Sequence, residues 1–432
     1  MPLALYLLAV AVFAMGTSEF MLAGLLPDIA ADLGVTVGAA GLLTSAFAAG
    51  MIIGAPLMAA LARRWPARSG LLAFVLVFAA AHAVSALSAN LPVLLVARVV
   101  AAVANAGFLA VALTTAATLV ANDRKGRALA VLLSGTTVAT IAGVPGGAAL
   151  GTLLGWRATF WAIALLCLPA ALGIVTGVPA RGEPAPDDPP RPSLRTELRL
   201  LTRPRLILVM LIAALVNAAT FGTFTFLAPI VTGTAGLAEW WVPVVLVLFG
   251  LGSFLGVTVA GRLADRRPGL VIAAGGPVLL AGWVALAVLA ARPVALLVLV
   301  FVQGALSFAL GSTLITRVLY AASDAPTMGG SYATASLNIG AAGGPVLAAT
   351  TLGPGQADIG PVWVSGLLIA AALLLALPLL RVITAPPAGR AGAGSPGPHD
   401  SRGDGAEKGT PGGTGGRGQE AAGIPTAADG DD

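Results

Sequence analysis

Residues 47–66 read FAAGMIIGAPLMAALARRWP, and residues 249–268 read FGLGSFLGVTVAGRLADRRP. At a single offset of 202, Phe47, Gly50, Gly54, Leu61, Ala62, Arg64 and Pro66 fall on Phe249, Gly252, Gly256, Leu263, Ala264, Arg266 and Pro268. The same offset lays Pro27 on Pro229. An offset near 200 lays Gly143-Val144-Pro145 on Gly343-Gly344-Pro345. One offset shared by several elements reads as an internal duplication, with the second half running parallel to the first. Parallel repeats of this kind place a site between the halves, near their midplane.

Composition decides what solvent those halves meet. The chain has 432 residues, of which 24 are Lys or Arg and 19 are Asp or Glu. Charged residues are thus 10% of the chain, against about 25% in a soluble domain. Hydrophobic residues make up 57%. So few charges cannot cover the surface of two or three soluble domains, so the bilayer is the expected solvent. One Cys (Cys167) and two His (His82, His399) leave little for a metal or nucleophile site, and no metal is expected.

A bilayer-spanning helix needs about 20 mostly apolar residues. Twelve such stretches occur, at roughly 3–26, 39–61, 70–89, 92–120, 129–154, 158–178, 205–231, 241–261, 269–291, 293–320, 328–352 and 361–384. The first is too long, and too polar at Thr17, Ser18 and Glu19, for a cleaved leader. The expected fold is therefore an all-α membrane protein of twelve transmembrane helices in two pseudo-symmetric six-helix bundles, 1–178 and 205–384. Residues 179–204, rich in Pro and Arg, read as a linker on the cytoplasmic side. Residues 385–432 hold 14 Gly, 6 Pro and no aromatic residue, and read as a disordered tail.

Twenty-one of the 24 basic residues fall on the side that would hold both ends. Arg157 and Arg292 fall opposite, and Arg98 falls inside span 4. Positive loops face the cytoplasm, so both termini are expected there, in a multi-pass protein of the bacterial cytoplasmic membrane. Topology thereby accounts for the basic balance. Nothing points to nucleic acid, and the basic loops are expected to touch lipid headgroups.

Elimination picks out the polar interior. Glu19 is the one carboxyl clearly inside a span, and Arg98 the one strongly basic residue. A charge in hydrocarbon marks function by default. Both lie about 10 Å below the outer face at 1.5 Å per residue. Asn105 shares a helix face with Arg98. Asn217 and Phe224 share a face of span 7. Gln303 lies in span 10 and Asn338 in span 11. His82 and Cys167 read as packing residues. Gly143, Gly147 and Gly151 recur every four residues and make a thin helix face, with Pro145 able to bend it.

Three motifs carry a resemblance. Gly261-Arg-Leu-Ala-Asp265-Arg266-Arg resembles the loop signature of the major facilitator superfamily. Gly143-Val-Pro145-Gly-Gly147, with Gly151 and Gly155-Trp-Arg157, resembles that superfamily's span-5 antiporter motif. Gly16-Thr-Ser-Glu19-Phe and Gly24-Leu-Leu-Pro27-Asp28 resemble the opening of its twelve-span drug:proton antiporters, and within them the chloramphenicol-resistance exporters. The first-half loop departs from the signature, with Arg63 where an acid is usual, so only Asp265 keeps that position.

The resemblance implies efflux of a small apolar antibiotic, coupled to protons by alternating access. Spans 1, 4, 7 and 10 would line the cavity. Glu19 and Arg98 would couple protons, with Arg98 holding Glu19 ionised until a rearrangement parts them. Asn105, Asn217, Phe224, Gln303 and Asn338 would meet the drug. Gly143, Pro145, Gly147 and Gly151 would pack span 5 on span 8, and Asp265 with Arg266 would bias the conformational equilibrium. No cofactor is implied beyond a proton gradient, and the expected unit is a monomer. Arabinose-efflux-like export of sugars or metabolites is the alternative. An enzyme lacks a nucleophile or metal constellation, and a channel lacks a filter.

Overall fold

The computed structural model describes residues 2–61, 65–121, 124–179, 194–263, 268–325, 328–352 and 358–384. The first six principal helices are α1 (Leu3–Phe20), α2 (Val37–Leu61), α3 (Ala67–Leu87), α4 (Leu91–Thr118), α5 and α6 (Trp156–Gly177). Helix α5 comprises Lys125–Val138, a π-helical turn Ala139–Gly143, and Val144–Leu154. The next six are α7 (Pro204–Thr225), α8 (Trp241–Leu263), α9 (Pro268–Leu289), α10 (Pro293–Ala321), α11 (Gly329–Ala349) and α12 (Gly360–Ala376). Among the described residues, ten helices are long and apolar enough to cross a membrane. Helix α12 is shorter, and α11 is rich in Gly, Ala, Ser and Thr. All twelve expected stretches of mostly apolar residues carry a helix, and α11 and α12 are the two that are less apolar or shorter than a full span. Helix α11 has less need of apolar residues because it packs against α2, α7, α10 and α12 and buries about half of its length.

Two buried apolar cores follow the halves of the sequence. The first runs from Leu5 to Val178 and borrows only Phe226 and Ala348 among its buried members. The second runs from Leu200 to Ile383 and borrows only Ala23, Val144 and Ala148. A small third cluster bridges them, with Ala48, Phe221 and Ala341 buried and Phe20 and Ala342 packed on it.

The duplicated glycines do duplicated work. A side chain at Gly50 or Gly54 of α2 would run into Val99, Ala102, Val103 or Ala106 of α4. At Gly252 or Gly256 of α8 it would run into the backbone of Phe301 or Ala305 of α10. The Gly-Pro elements match by helix and not by position: Gly143 of α5 abuts Thr17 and Phe13 of α1, whereas its counterpart Gly343 of α11 meets nothing within 4 Å, and the neighbouring Gly344 abuts the Ala218 backbone of α7. Small residues let helix backbones touch, and the matched glycines of α2 and α8 do so in both halves.

The paired prolines also act alike. Helix α1 stops at Phe20, passes through a 3-10 turn Met21–Gly24, and resumes as a short helix Leu26–Leu33 with Pro27 in its first turn. Helix α7 stops at Thr225, and a turn Leu227–Pro229 leads into a π-helical segment Ile230–Thr234. Leu25 (φ −115°, ψ −10°) and Phe226 (φ −106°, ψ 25°) form the joints. In α5, Pro145 has no N–H to give the carbonyl four residues back. The backbone slips beforehand, and the Val144 N–H donates to Ala139 O, five residues back.

Four sequence expectations fall wholly or partly outside the described residues. They are Asp265, Arg266, the part of the linker from 180 to 193, and the tail from 385 onward.

Candidate functional site

Arg98 of α4 is 1% exposed and sits inside the first half. Its Nη1 donates to Ser18 Oγ of α1 at 2.8 Å, and its Nε to Leu43 O of α2 at 3.5 Å. The guanidinium lies over the Phe47 ring, 4.3 Å from the centroid, a cation–π contact that partly replaces water. Nη2 finds no protein partner.

Ser18 passes the network on to α3. Ser18 Oγ lies 2.7 Å from His82 Nε2, and His82 Nδ1 lies 2.8 Å from Phe78 O. A carbonyl only accepts, so Nδ1 carries the proton. In the neutral ring Nε2 then accepts from the Ser18 hydroxyl, and a Ser18 lone pair receives Arg98. Phe78 and Phe160 close on the imidazole, 4.3 and 5.9 Å between centroids. His82 is 1% exposed and part of a polar chain across α4, α1 and α3.

Glu19 is next to Ser18 on α1 and is half-buried. It lies near enough to Arg98 for their charges to act on one another. Yet no ion pair joins them, and among the described residues Glu19 makes no side-chain hydrogen bond. The carboxyl and the guanidinium share a neighbourhood without touching.

From Phe20, the residue after Glu19, a run of aromatic rings crosses between the halves. Phe20 of α1 meets Phe221 and Phe224 of α7, at 5.6 and 6.2 Å between centroids. Phe224 meets Phe249 of α8 at 4.7 Å, and Phe249 meets Phe308 of α10 at 6.0 Å. Sequence reading picked out Phe224 alone. The other four rings come from four helices and come together only in space.

The remaining candidates are dispersed. Asn105 is 2% exposed and turns to Met51 Sδ of α2 at 3.8 Å. Asn217 donates to Leu337 O of α11 at 2.7 Å. Asn338 donates to Thr334 O of its own helix at 2.9 Å. Gln303 donates to Leu279 O of α9 at 3.3 Å and packs against Gly282. The glycine face of α5 meets α1 and α6: Gly143 abuts Thr17, Gly147 abuts Thr159, and Gly151 abuts Leu25. Helix α5 does reach α8, but by another face, where Thr140 and Ile141 abut Gly250. The expected glycine contact with span 8 is thus reversed, because the small residue there belongs to α8. Pro145 is buried.

Two anchors tie the loops down. Arg157 pairs with Asp32 at 2.5 Å, donates to Ser88 O at 3.1 Å, and stacks on Trp156 at 4.3 Å. Gly155, at φ +83°, makes the turn that aims it, a conformation other residues adopt only with strain. At the side of the chain termini, Glu197 is fully buried and accepts the Met328 N–H at 2.7 Å, capping α11. Tyr332 donates to Glu197 O at 2.8 Å. In the sequence Glu197 falls within the 179–204 linker, where nothing signals this role.

A profile of the Major Facilitator Superfamily matches residues 8–345. The chain belongs to that superfamily. It is a multi-pass membrane transporter and not an enzyme. A chloramphenicol resistance protein of Streptomyces lividans is 71% identical over 384 residues, 89% of this chain and 98% of its own length. An inner membrane transport protein, YdhP, of Escherichia coli is 32% identical over 79% of this chain and 88% of its own length. A solved bacterial homologue of the human lysosomal transporter Spinster, inward-facing and unoccupied, superposes with a TM-score of 0.65. It covers 88% of this chain and 95% of its own, at 17% identity, and so supports the fold.

In this transporter the short helix Leu26–Leu33 carries Asp28, whose carboxyl is raised above its usual range by partial burial first and by Glu239 second. A carboxyl raised in the folded state contributes stability at low pH that is lost as pH rises through the folded range. Asn in its place stays uncharged throughout. Asp28→Asn should therefore be slightly more stable than the parent at pH 7, with the gain vanishing below about pH 4. Thermal unfolding of both proteins across that range checks it.

Proposed function

We propose that this protein exports chloramphenicol, or a closely related phenicol, across the bacterial cytoplasmic membrane in exchange for protons. The observation that carries the reading is the placement of Glu19. An unpartnered carboxyl on α1 adjoins Phe20, whose ring belongs to the aromatic run that crosses between the halves. A neutral nitroaromatic compound suits such a surface, which offers ring faces and few charges. The name of the Streptomyces lividans relative points to the same drug.

Alternating access would rock 1–178 against 205–384, both ends staying in the cytoplasm and the protein acting as a monomer among lipids. Glu19 would carry the proton, with Arg98 tuning it. Phe224 would meet the drug, and Asn105, Asn217, Gln303 and Asn338 would shape the helices around it. Gly143, Pro145, Gly147 and Gly151 would let α5 and α1 move as a unit. Asp265 and Arg266 would bias the equilibrium from their loop. The energy source would be the proton gradient, without a cofactor.

The test is accumulation of labelled chloramphenicol in a sensitive host, with and without a proton uncoupler. Expression should lower accumulation, and the uncoupler should restore it. Unchanged accumulation of every drug tried would overturn the reading and favour metabolite export.

A further inference from the structure

We propose that Ser18 and His82 form a second seat for the Arg98 guanidinium, occupied while Glu19 is protonated and left for Glu19 when that carboxyl ionises. The inference rests on the reading of Glu19 as the proton-exchanging group.

Three observations carry it. First, a buried guanidinium next to a half-buried carboxyl normally forms a charge-assisted pair with it. Arg98 instead spends Nη1 on Ser18, the residue beside Glu19, at 2.8 Å. Second, Ser18 can hold a cation only if its own hydrogen goes elsewhere, and His82 Nε2 takes it at 2.7 Å. The imidazole is in turn pinned by Phe78 O at 2.8 Å. The seat is thus built from three helices, with every donor direction assigned. Third, Nη2 has no protein partner although Arg98 is 1% exposed. The guanidinium thus keeps one donor unspent, and Glu19 is the carboxyl whose charge acts on it.

The exchange balances without any other group. When Glu19 loses its proton, the new negative charge attracts Arg98. Nη1 leaves Ser18, and the Ser18 hydroxyl stays bonded to His82. When Glu19 regains a proton, Ser18 receives Nη1 again. The seat therefore competes with Glu19 for one cation and so makes the carboxyl easier to protonate.

The other elements packed here bring no further titratable group. Helix α2 offers Leu43 O and the Phe47 ring, α6 offers the Phe160 ring, and α5 faces α1 through Gly143. Among the described residues, Glu19 and Arg98 are the charge-bearing groups at this point, and His82 is a neutral acceptor. Ser18 and His82 act through Arg98 and are positioning residues.

The test needs no drug, so it stands apart from the substrate assignment. Infrared titration follows the carboxylic acid band of Glu19, identified by its loss in Glu19→Gln. His82→Phe keeps the ring volume and removes the acceptor, and Ser18→Ala removes the seat itself. Each should move the midpoint of that band toward acid by about one pH unit or more, the size of a nearby guanidinium's effect. His82→Gln keeps an acceptor and should leave the midpoint within a few tenths of the parent. If His82→Phe fails to fold, Ser18→Ala decides alone. Unmoved midpoints in folded His82→Phe and Ser18→Ala would overturn the proposal. Equal shifts in His82→Phe and His82→Gln would overturn the acceptor role, leaving only a packing contact.

Discussion

Glu19→Gln is expected to cut proton-driven chloramphenicol export by about 100-fold or more, in keeping with the loss of an essential proton-transferring group. Gln matches the shape and hydrogen-bonding capacity of a protonated Glu and cannot release a proton. Glu19 is half-buried and unpartnered, so the substitution disturbs no hydrogen bond or ion pair that holds the fold. The effect should therefore fall on coupling rather than on stability. A transporter fixed in its proton-loaded form can still exchange drug across the membrane, because exchange needs no net proton movement. It cannot use a pH gradient to drive net export, since the gradient then acts on no group that differs between states. Inside-out vesicles separate the two. Drug–drug counterflow should survive in Glu19→Gln, and uptake driven by an imposed pH gradient should disappear. Gradient-driven uptake at the parent rate would remove Glu19 from the coupling path.

The spans and the duplication were legible because each rests on a local requirement. Hydrocarbon demands apolar residues one by one, and a backbone contact demands Gly at one position. Gly50 and Gly54 could therefore be matched to Gly252 and Gly256 without a structure, and they proved to serve equivalent helix pairs. Glu19 and Arg98 emerged by elimination, since a charge within a span is conspicuous against so apolar a chain. What stayed hidden depends on which neighbour a helix face meets. Periodicity showed that Gly143, Gly147 and Gly151 share a face, but not that the face meets α1 and α6. Ser18 and His82 are 64 positions apart, and each alone reads as an ordinary small or packing residue. Phe20, Phe221, Phe249 and Phe308 look like scattered lipid-facing rings until four helices bring them into line. Glu197 was masked by its surroundings, because an acid in a Pro- and Arg-rich stretch reads as solvated, whereas it is buried against α11.

The second large effect concerns the contact between α8 and α10. A Cβ at Gly256 would fall on the Ala305 carbonyl, and one at Gly252 on the Phe301 carbonyl. Seen from α10, a Cβ at Gly304 would fall on the Phe249 backbone. The obstacle in each case is backbone, which cannot turn aside as a flexible side chain can. Overpacking a well-filled site costs about 1–3 kcal/mol, and the upper end applies where a whole helix has to shift. Gly256→Ala should therefore lose about that much stability, and Gly256→Leu should fail to accumulate as folded protein. Separating the helices would also open the Phe249–Phe308 pair, now 6.0 Å between centroids, so surviving Gly256→Ala protein should bind drug less tightly. Gly311 supplies the control, because it lies on α10 and a Cβ there meets nothing within 4 Å. Gly311→Ala should be neutral, or stabilising by up to about 1 kcal/mol through helix propensity. Thermal unfolding of the three variants in detergent, beside the parent, reads the difference. Equal stability of Gly256→Ala and Gly311→Ala would mean that the two backbones are not held in contact, and the duplicated glycines would then need another explanation.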